Sequence, residues 1–497
     1  MTSASLIRRN PLKKEQNMTA SSNNNAYDRG LEAVERNDWP QACREWQTWL
    51  KEHPDDFRAL FNWGCTLESM AIESEGDEQL KLFESACVKY AQAAEIEPDD
   101  DELLNMWGVT LSEWADELQG SDQRDVYEDA CVKFSQALEI NPDEFQTLYN
   151  WATTLTHMAN ESETEERVRL YEEACEKCAQ AAQINPDSHE TLNKWGALLS
   201  MKAEELDGKD RQQSFKESCS KFTRAIEIQP DYHDAFFNWG ITLDSMAEYI
   251  EGPARKQRLI EACDKFSHAV SLDPSDHEVF IHWGNALVSI AEESKGADRK
   301  KLINEAIEKF NAASELDPDD PEVYNSWGTA LEHLASETKG PEGMRLLSEA
   351  CAQYSRGAEI DPDDEAVTYN WALALMNMAT ESQGKRRAKL FEEACSKLDH
   401  AVRLDPQNYE ALEYWGVALM NLAEEKEGSE KMATYNQARE KIAQSIEIEP
   451  DNSLLLHNWG LMLEDMADES DEPEKTQLVN ESQEKLHLAE RLRSKRS

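Results

Sequence analysis

Residues 101–144 read DELLNMWGVTLSEWADELQGSDQRDVYEDACVKFSQALEINPDE. Leu104, Trp107, Leu111 and Ala115 recur in steps of three and four residues, which places them on one face of an α-helix, helix A. Tyr127, Ala130, Phe134, Ala137 and Ile140 do the same for a second helix, helix B. Gly108 is small where the two helices must approach closely. Gly120 follows the last periodic position and reads as the residue that ends helix A. Pro142 closes the unit, and Asp143 is placed to cap the next helix A.

The unit is copied along the chain. Trp63, Trp107, Trp151, Trp195, Trp239, Trp283, Trp327, Trp371, Trp415 and Trp459 are each 44 residues apart. A Leu follows each of these Trp residues by four positions and an Ala by eight, from Leu67 and Ala71 to Leu463 and Ala467. Pro precedes every helix A, from Pro54 to Pro450. Gly lies in the A–B turn of eight copies. A fixed period of this length means stacked copies, each covering an apolar face that its neighbour cannot bury alone. The pattern predicts three segments. Residues 1–22 form a basic, disordered tail, residues 23–56 a shorter terminal repeat, and residues 57–496 ten repeats in one continuous solenoid. Met1 and Met18 are both candidate starts.

The terminal segment carries Gly30-x11-Ala42-x3-Trp46-x2-Trp49-x4-Pro54, and Ala86-x3-Tyr90-x2-Ala93-x4-Pro98 repeats its second half. This spacing resembles the tetratricopeptide repeat (TPR) family, whose usual unit has about 34 residues. Trp63-Gly64 stands where that family has Leu-Gly, and Trp49 where it has a small residue. The resemblance covers residues 23–496 and implies an all-α, right-handed superhelical solenoid of stacked antiparallel helix pairs. The extra residues per unit, shared between both helices, predict helices of about 18 residues each. The plant mitochondrial outer-membrane import receptor is similar in having lengthened TPR helices. It is membrane-anchored at its C-terminus, whereas this sequence ends in the basic RLRSKRS.

Net charge is −49, with 100 acidic and 51 basic residues among 497. Free nucleic acid does not suit such a chain, because phosphate binding needs clustered cations on the contact surface. Basic proteins or peptides suit it better, and acidic surfaces also keep a long solenoid soluble. Eight of the ten cysteines (Cys43, Cys87, Cys131, Cys175, Cys219, Cys263, Cys351 and Cys395) share one position in the repeat. They read as small packing residues, free thiols in a reducing, cytoplasmic setting. No run of apolar residues is long enough to span a membrane.

The sequence carries no nucleophile elbow, phosphate loop or zinc-protease helix, so no enzyme, cofactor or metal is expected. Cys175 and Cys178 spell CxxC, but inside helix B, where packing explains them better than redox chemistry. His189, His233 and His277 repeat with the same period and read as polar helix starts.

By the TPR resemblance, ligands lie along helix A positions two residues before Trp and two, five and six after it. Those positions give Phe61, Glu68, Tyr149, His157, Phe237, Asp244, Tyr369 and Met376 as candidate groove residues for a peptide or helix. Asn62, Asn150, Asn238, Asn370 and Asn458 resemble one element of the family's carboxylate clamp, but the accompanying cations are incomplete. No binding of acidic chaperone tails is expected. Charge is also sorted between the two edges: B–A turns are acidic, and several A–B turns are basic. Lys256, Arg299, Lys300, Lys301, Arg386 and Arg387 form a candidate basic edge. It would dock an acidic partner or an anionic membrane surface, serve lateral self-assembly, or pair with nearby Glu. The expected function is a protein-interaction scaffold, with an import or targeting receptor or chaperone-like carrier for unfolded or presequence-bearing proteins as the alternative, and an RNA-binding helical repeat as a third that the charge disfavours.

Overall fold

Every A helix of the ten repeats starts at the same place, three residues after the repeat proline. Pro and the residue behind it complete a turn, and the next residue is extended and caps the helix. Asp56 accepts from the Ala59 N–H at 3.1 Å, Asp100 from Leu103 at 2.7 Å and Asn408 from Ala411 at 2.8 Å. Glu144, not Asp143, therefore caps the helix that follows Pro142.

The computed structural model describes residues 25–338 and 340–496, so the expectation for residues 1–22 lies outside the described residues. Those described are all-α, with 22 helices that pair antiparallel and stack within two units. The chain divides into two compact units, one up to Tyr249 and one from Ile250. The first unit holds α1 (Ala26–Glu35), α2 (Trp39–Glu52), α3 (Phe57–Ile72), α4 (Gly76–Ile96), α5 (Asp101–Asp116), α6 (Gly120–Ile140), α7 (Phe145–Asn160), α8 (Thr164–Ile184), α9 (His189–Glu205), α10 (Gly208–Ile228) and α11 (His233–Glu248). The second holds α12 (Pro253–Leu272), α13 (His277–Glu292), α14 (Gly296–Leu316), α15 (Pro321–Ser336), α16 (Pro341–Ile360), α17 (Glu365–Thr380), α18 (Gly384–Leu404), α19 (Tyr409–Glu424), α20 (Gly428–Ile448), α21 (Ser453–Asp468) and α22 (Glu474–Arg496).

The helices are unequal, contrary to the equal lengths expected. A helices such as α3, α5 and α7 have 16 residues, and B helices such as α4, α6 and α8 have 21. The reason lies in the turn. Helix A already ends at residues such as Glu117, and Gly120 stands three positions later at the start of helix B, with φ +65°. That left-handed conformation costs glycine little. The glycine thus opens helix B rather than closing helix A.

Close packing explains the second conserved small position. A Cβ added to Gly108 would lie 2.7 Å from the Phe134 ring, and one on Gly64 would lie 2.5 Å from the Tyr90 ring. Where helix A carries Ala152 or Ala372 instead, helix B has Cys178 or Leu398 in place of the ring. Small opposes large, and Ala opposes something smaller than a ring. Cys178 is therefore the packing partner of Ala152.

Within each unit, successive A helices touch one another (α3 and α5, α5 and α7, α9 and α11; α13 and α15, α15 and α17, α17 and α19), and successive B helices make no comparable contact. The A helices accordingly lie on the inner side of each stack.

Candidate interaction surfaces

The A–B edge is organised by a ladder of cations. The third residue after each turn position is Arg or Lys in seven of the ten repeats. Arg167 reaches Glu205 at 2.7 Å, Arg255 reaches Glu293 at 3.0 Å, and Arg299 reaches Glu337 at 3.0 Å. Arg387 reaches Glu425 at 3.0 Å, and Lys431 reaches Glu469 at 2.7 Å. Each carboxylate stands at the end of the next repeat's helix A. Where Tyr249 replaces that glutamate, Arg211 lies over its ring at 3.7 Å instead. The guanidinium also serves its own repeat: Arg167 Nε donates to the Ala159 carbonyl and Arg211 Nε to that of Ala203, both at 3.2 Å. These carbonyls belong to the last turn of helix A, where a cation is favoured.

The candidate basic edge divides accordingly. Arg299 and Arg387 are rungs of the ladder. Lys256 donates to Ser294 at 2.8 Å and Lys300 to Thr338 at 3.3 Å, one repeat on in each case. Lys301 pairs within its own helix with Glu305 at 3.4 Å. Arg386 is exposed and forms no ion pair among the described residues. The ladder itself went unread in the sequence, although its signal, a cation at one repeat position, is visible from Arg167 to Arg299.

The inner face is more closed in the first unit. Phe61, Glu68, Tyr149 and Phe237 are buried. Glu68 accepts from the Tyr90 hydroxyl at 3.0 Å. His157 Nδ1 lies 2.8 Å from Asp116, which also accepts from Tyr127 and so ties two repeats together. Asp244 is half-buried. The asparagines before Trp join helix A to helix A: Asn150 donates to Asn105 and Asn238 to Asn193, both at 3.2 Å, and Asn370 donates to Asn325 at 2.9 Å. Lys194 stands at the same position as these asparagines and is buried, with the Tyr149 ring 5.8 Å away.

The second unit opens a cleft of about 220 Å³ between α17 and α19. Met376, Leu373, Tyr414 and Val417 line it, and Phe391 of α18 contributes from below. Tyr369 meets Tyr414 edge to face, with ring centres 5.9 Å apart. Sequence reasoning found Met376 and Tyr369 but not Tyr414, which stands where most repeats have a small or amide residue.

Three carboxylates, two on this face and one at its B–A rim, find amides and phenols rather than Lys or Arg. Glu332 accepts from Tyr354 at 2.8 Å and from Asn377 at 3.1 Å. Glu365 accepts from Asn408 and Glu413 from Asn452, both at 2.6 Å. Burial raises all three carboxyls above their ordinary range, and Glu410 adds to the effect at Glu365 and Glu413.

The tryptophan column is structural. A lysine of the following helix B covers the ring in most repeats, as with Lys133 over Trp107 at 3.9 Å and Lys397 over Trp371 at 3.3 Å. The thiols are free, and burial pushes Cys87, Cys131, Cys175, Cys351 and Cys395 up to about 12 and Cys178 higher still. That is the opposite of an activated CxxC pair. His189, His233 and His277 lie beside Glu190, Asp234 and Asp320 respectively. Among the described residues no three metal-ligating side chains converge, and no helix is long and apolar enough to cross a membrane.

No curated protein sequence matches the chain. Among solved structures it is similar to YrrB, a TPR protein with an unusual peptide-binding site, at 22% identity over 48% of this chain and 96% of that one, TM-score 0.33. Yeast Tom70 is similar at 14% identity over 94% and 96% of the two chains, TM-score 0.38. A TPR protein from Parabacteroides merdae is similar at 13% identity over 63% and 98%, TM-score 0.39. The family model of the plant-specific mitochondrial import receptor subunit TOM20 matches residues 257–381. That of regulator of microtubule dynamics protein 1-3 matches residues 111–241 and 336–470, together more than half of the sequence. A TPR-like helical-repeat protein by its fold, the chain belongs to the regulator of microtubule dynamics protein 1-3 family.

Proposed function

We propose that the protein is a non-enzymatic interaction scaffold whose inner A-helix face binds peptide or helical segments of basic partners. The carrying observation is the segregation of charge. The ladder cations of the A–B edge are engaged between repeats, whereas Glu332 and Glu413 on the inner face and Glu365 at its B–A rim have only amide or phenol partners among the described residues. A partner's Lys or Arg is the missing counter-charge, and a net charge of −49 steers such partners in. The family name suggests partners at microtubules, and the free thiols fit a cytoplasmic setting. Arg386 and Lys301, outside the ladder, remain available for contacts between copies.

A second reading, a targeting receptor, is favoured by the import-receptor match over residues 257–381. Calorimetric titration of the full chain with a Lys-rich peptide and its Glu-rich twin, at low and at high salt, tests the common element. Binding of the Lys-rich peptide alone, weakened by salt, is expected; preference for the Glu-rich peptide overturns it. Co-sedimentation with microtubules, set against binding of an Arg-rich amphipathic presequence peptide, separates the two readings.

A further inference from the structure

The cleft between α17 and α19 adjoins a second feature that the scaffold reading does not use. Tyr414 lines the cleft and is 37% exposed, and its ring is braced edge-on by Tyr369. Both phenols lie in the field of Glu410 and Glu413. Glu410 is exposed, and no Lys or Arg pairs with it among the described residues. An accessible phenol face flanked by carboxylates attracts a cation. The cleft itself, at about 220 Å³, is smaller than pockets that enclose drug-sized ligands and has room for about one side chain. Tyr414 and Val417 are three residues apart on α19, so the cation site and the apolar site lie about 5 Å apart along the helix.

We propose that this place binds a two-part epitope on a partner helix: an aliphatic side chain in the cleft, and a Lys or Arg one turn away over Tyr414, between Glu410 and Glu413. The apolar walls alone would take any hydrophobic side chain. The carboxylates select a basic neighbour by complementary charge, and the partner helix carries both groups on one face at a spacing of three or four residues. The inference rests on the scaffold reading and adds where binding occurs and which residue pair it needs.

The test uses fluorescence anisotropy with the full chain and three labelled helical peptides. One carries Leu and Lys on one face, one has Ser in place of Leu, and one has Glu in place of Lys. The Leu/Lys peptide is expected to bind, with loss of about ten-fold in affinity when Leu is replaced and at least as much when Lys is replaced. Tyr414→Ala and Glu410→Lys are each expected to weaken it by about ten-fold, and Arg386→Ala to leave it unchanged. Because Glu410 is exposed, its reversal tests the site without disturbing packing. If the Ser/Lys peptide binds as well as the Leu/Lys peptide, or if both site variants bind normally, the cleft assignment is overturned while the scaffold reading stands. If no Lys-bearing peptide binds, both fall.

Discussion

Lys194 offers a direct test of the packing logic. Its ammonium is buried on the inner face of α9, where five other repeats have asparagine. Burial pushes it down from its ordinary 10.5 to about 8, and only the neighbouring Cys178 works against that. At about 1.4 kcal/mol per pH unit, that drop weighs against the folded state by roughly 3 kcal/mol when the side chain is charged in both states. The sign follows from linkage. The penalty is complete below about pH 8, shrinks as pH rises from there toward 10.5, and is absent above. Lys194→Met keeps the length of the side chain and removes the charge. It loses a cation–ring contact of about 0.5–1 kcal/mol, so the net gain at pH 7 is about 2 kcal/mol. At pH 10 the gain falls to less than about 1 kcal/mol. Urea unfolding followed by circular dichroism at both pH values reads this as a midpoint rise that is large at pH 7 and small at pH 10. A variant that is neutral or destabilised at pH 7, or a shift of equal size at both pH values, would refute the claim that Lys194 is held charged against its own burial.

Gly108→Ala should destabilise by about 1–3 kcal/mol, because the new Cβ meets the Phe134 ring. Adding Phe134→Leu should restore part of that loss, since Ala372 and Leu398 already form such a pair; denaturant midpoints of the single and double variants decide it. A double-mutant cycle on Arg299→Ala and Glu337→Ala should give a coupling of about 0.5–1 kcal/mol that weakens with salt, as befits a pair that is about a fifth to a third exposed. The repeat-position thiols should react slowly with a disulfide reagent at pH 8 in the native protein and quickly after unfolding, because burial keeps them protonated. Fast native labelling of Cys175 would count against that.

Periodicity alone determined the fold. Side chains one period apart occupy equivalent places in a stack, so Trp, Leu, Ala and Pro at that interval encode helix pairs before any contact is known. The helix start was off by one residue at Glu144, and helix lengths were misassigned. Sequence spacing counts the residues in a turn but does not say which of them take extended or left-handed backbone. The size rule between Gly108 and Phe134 could be read in principle from the copies, since Ala152 is matched by Cys178 and Ala372 by Leu398. The distribution of charge could not. Arg299 and Arg386 look alike in a basic run, but they differ in whether a carboxylate of the next repeat is folded against them. Tyr149 and Tyr369 share a repeat position, but one is buried and the other borders a cleft. Repeat position sets the direction of a side chain, whereas the packing of neighbouring A helices sets what covers it, and only the tertiary structure supplies that.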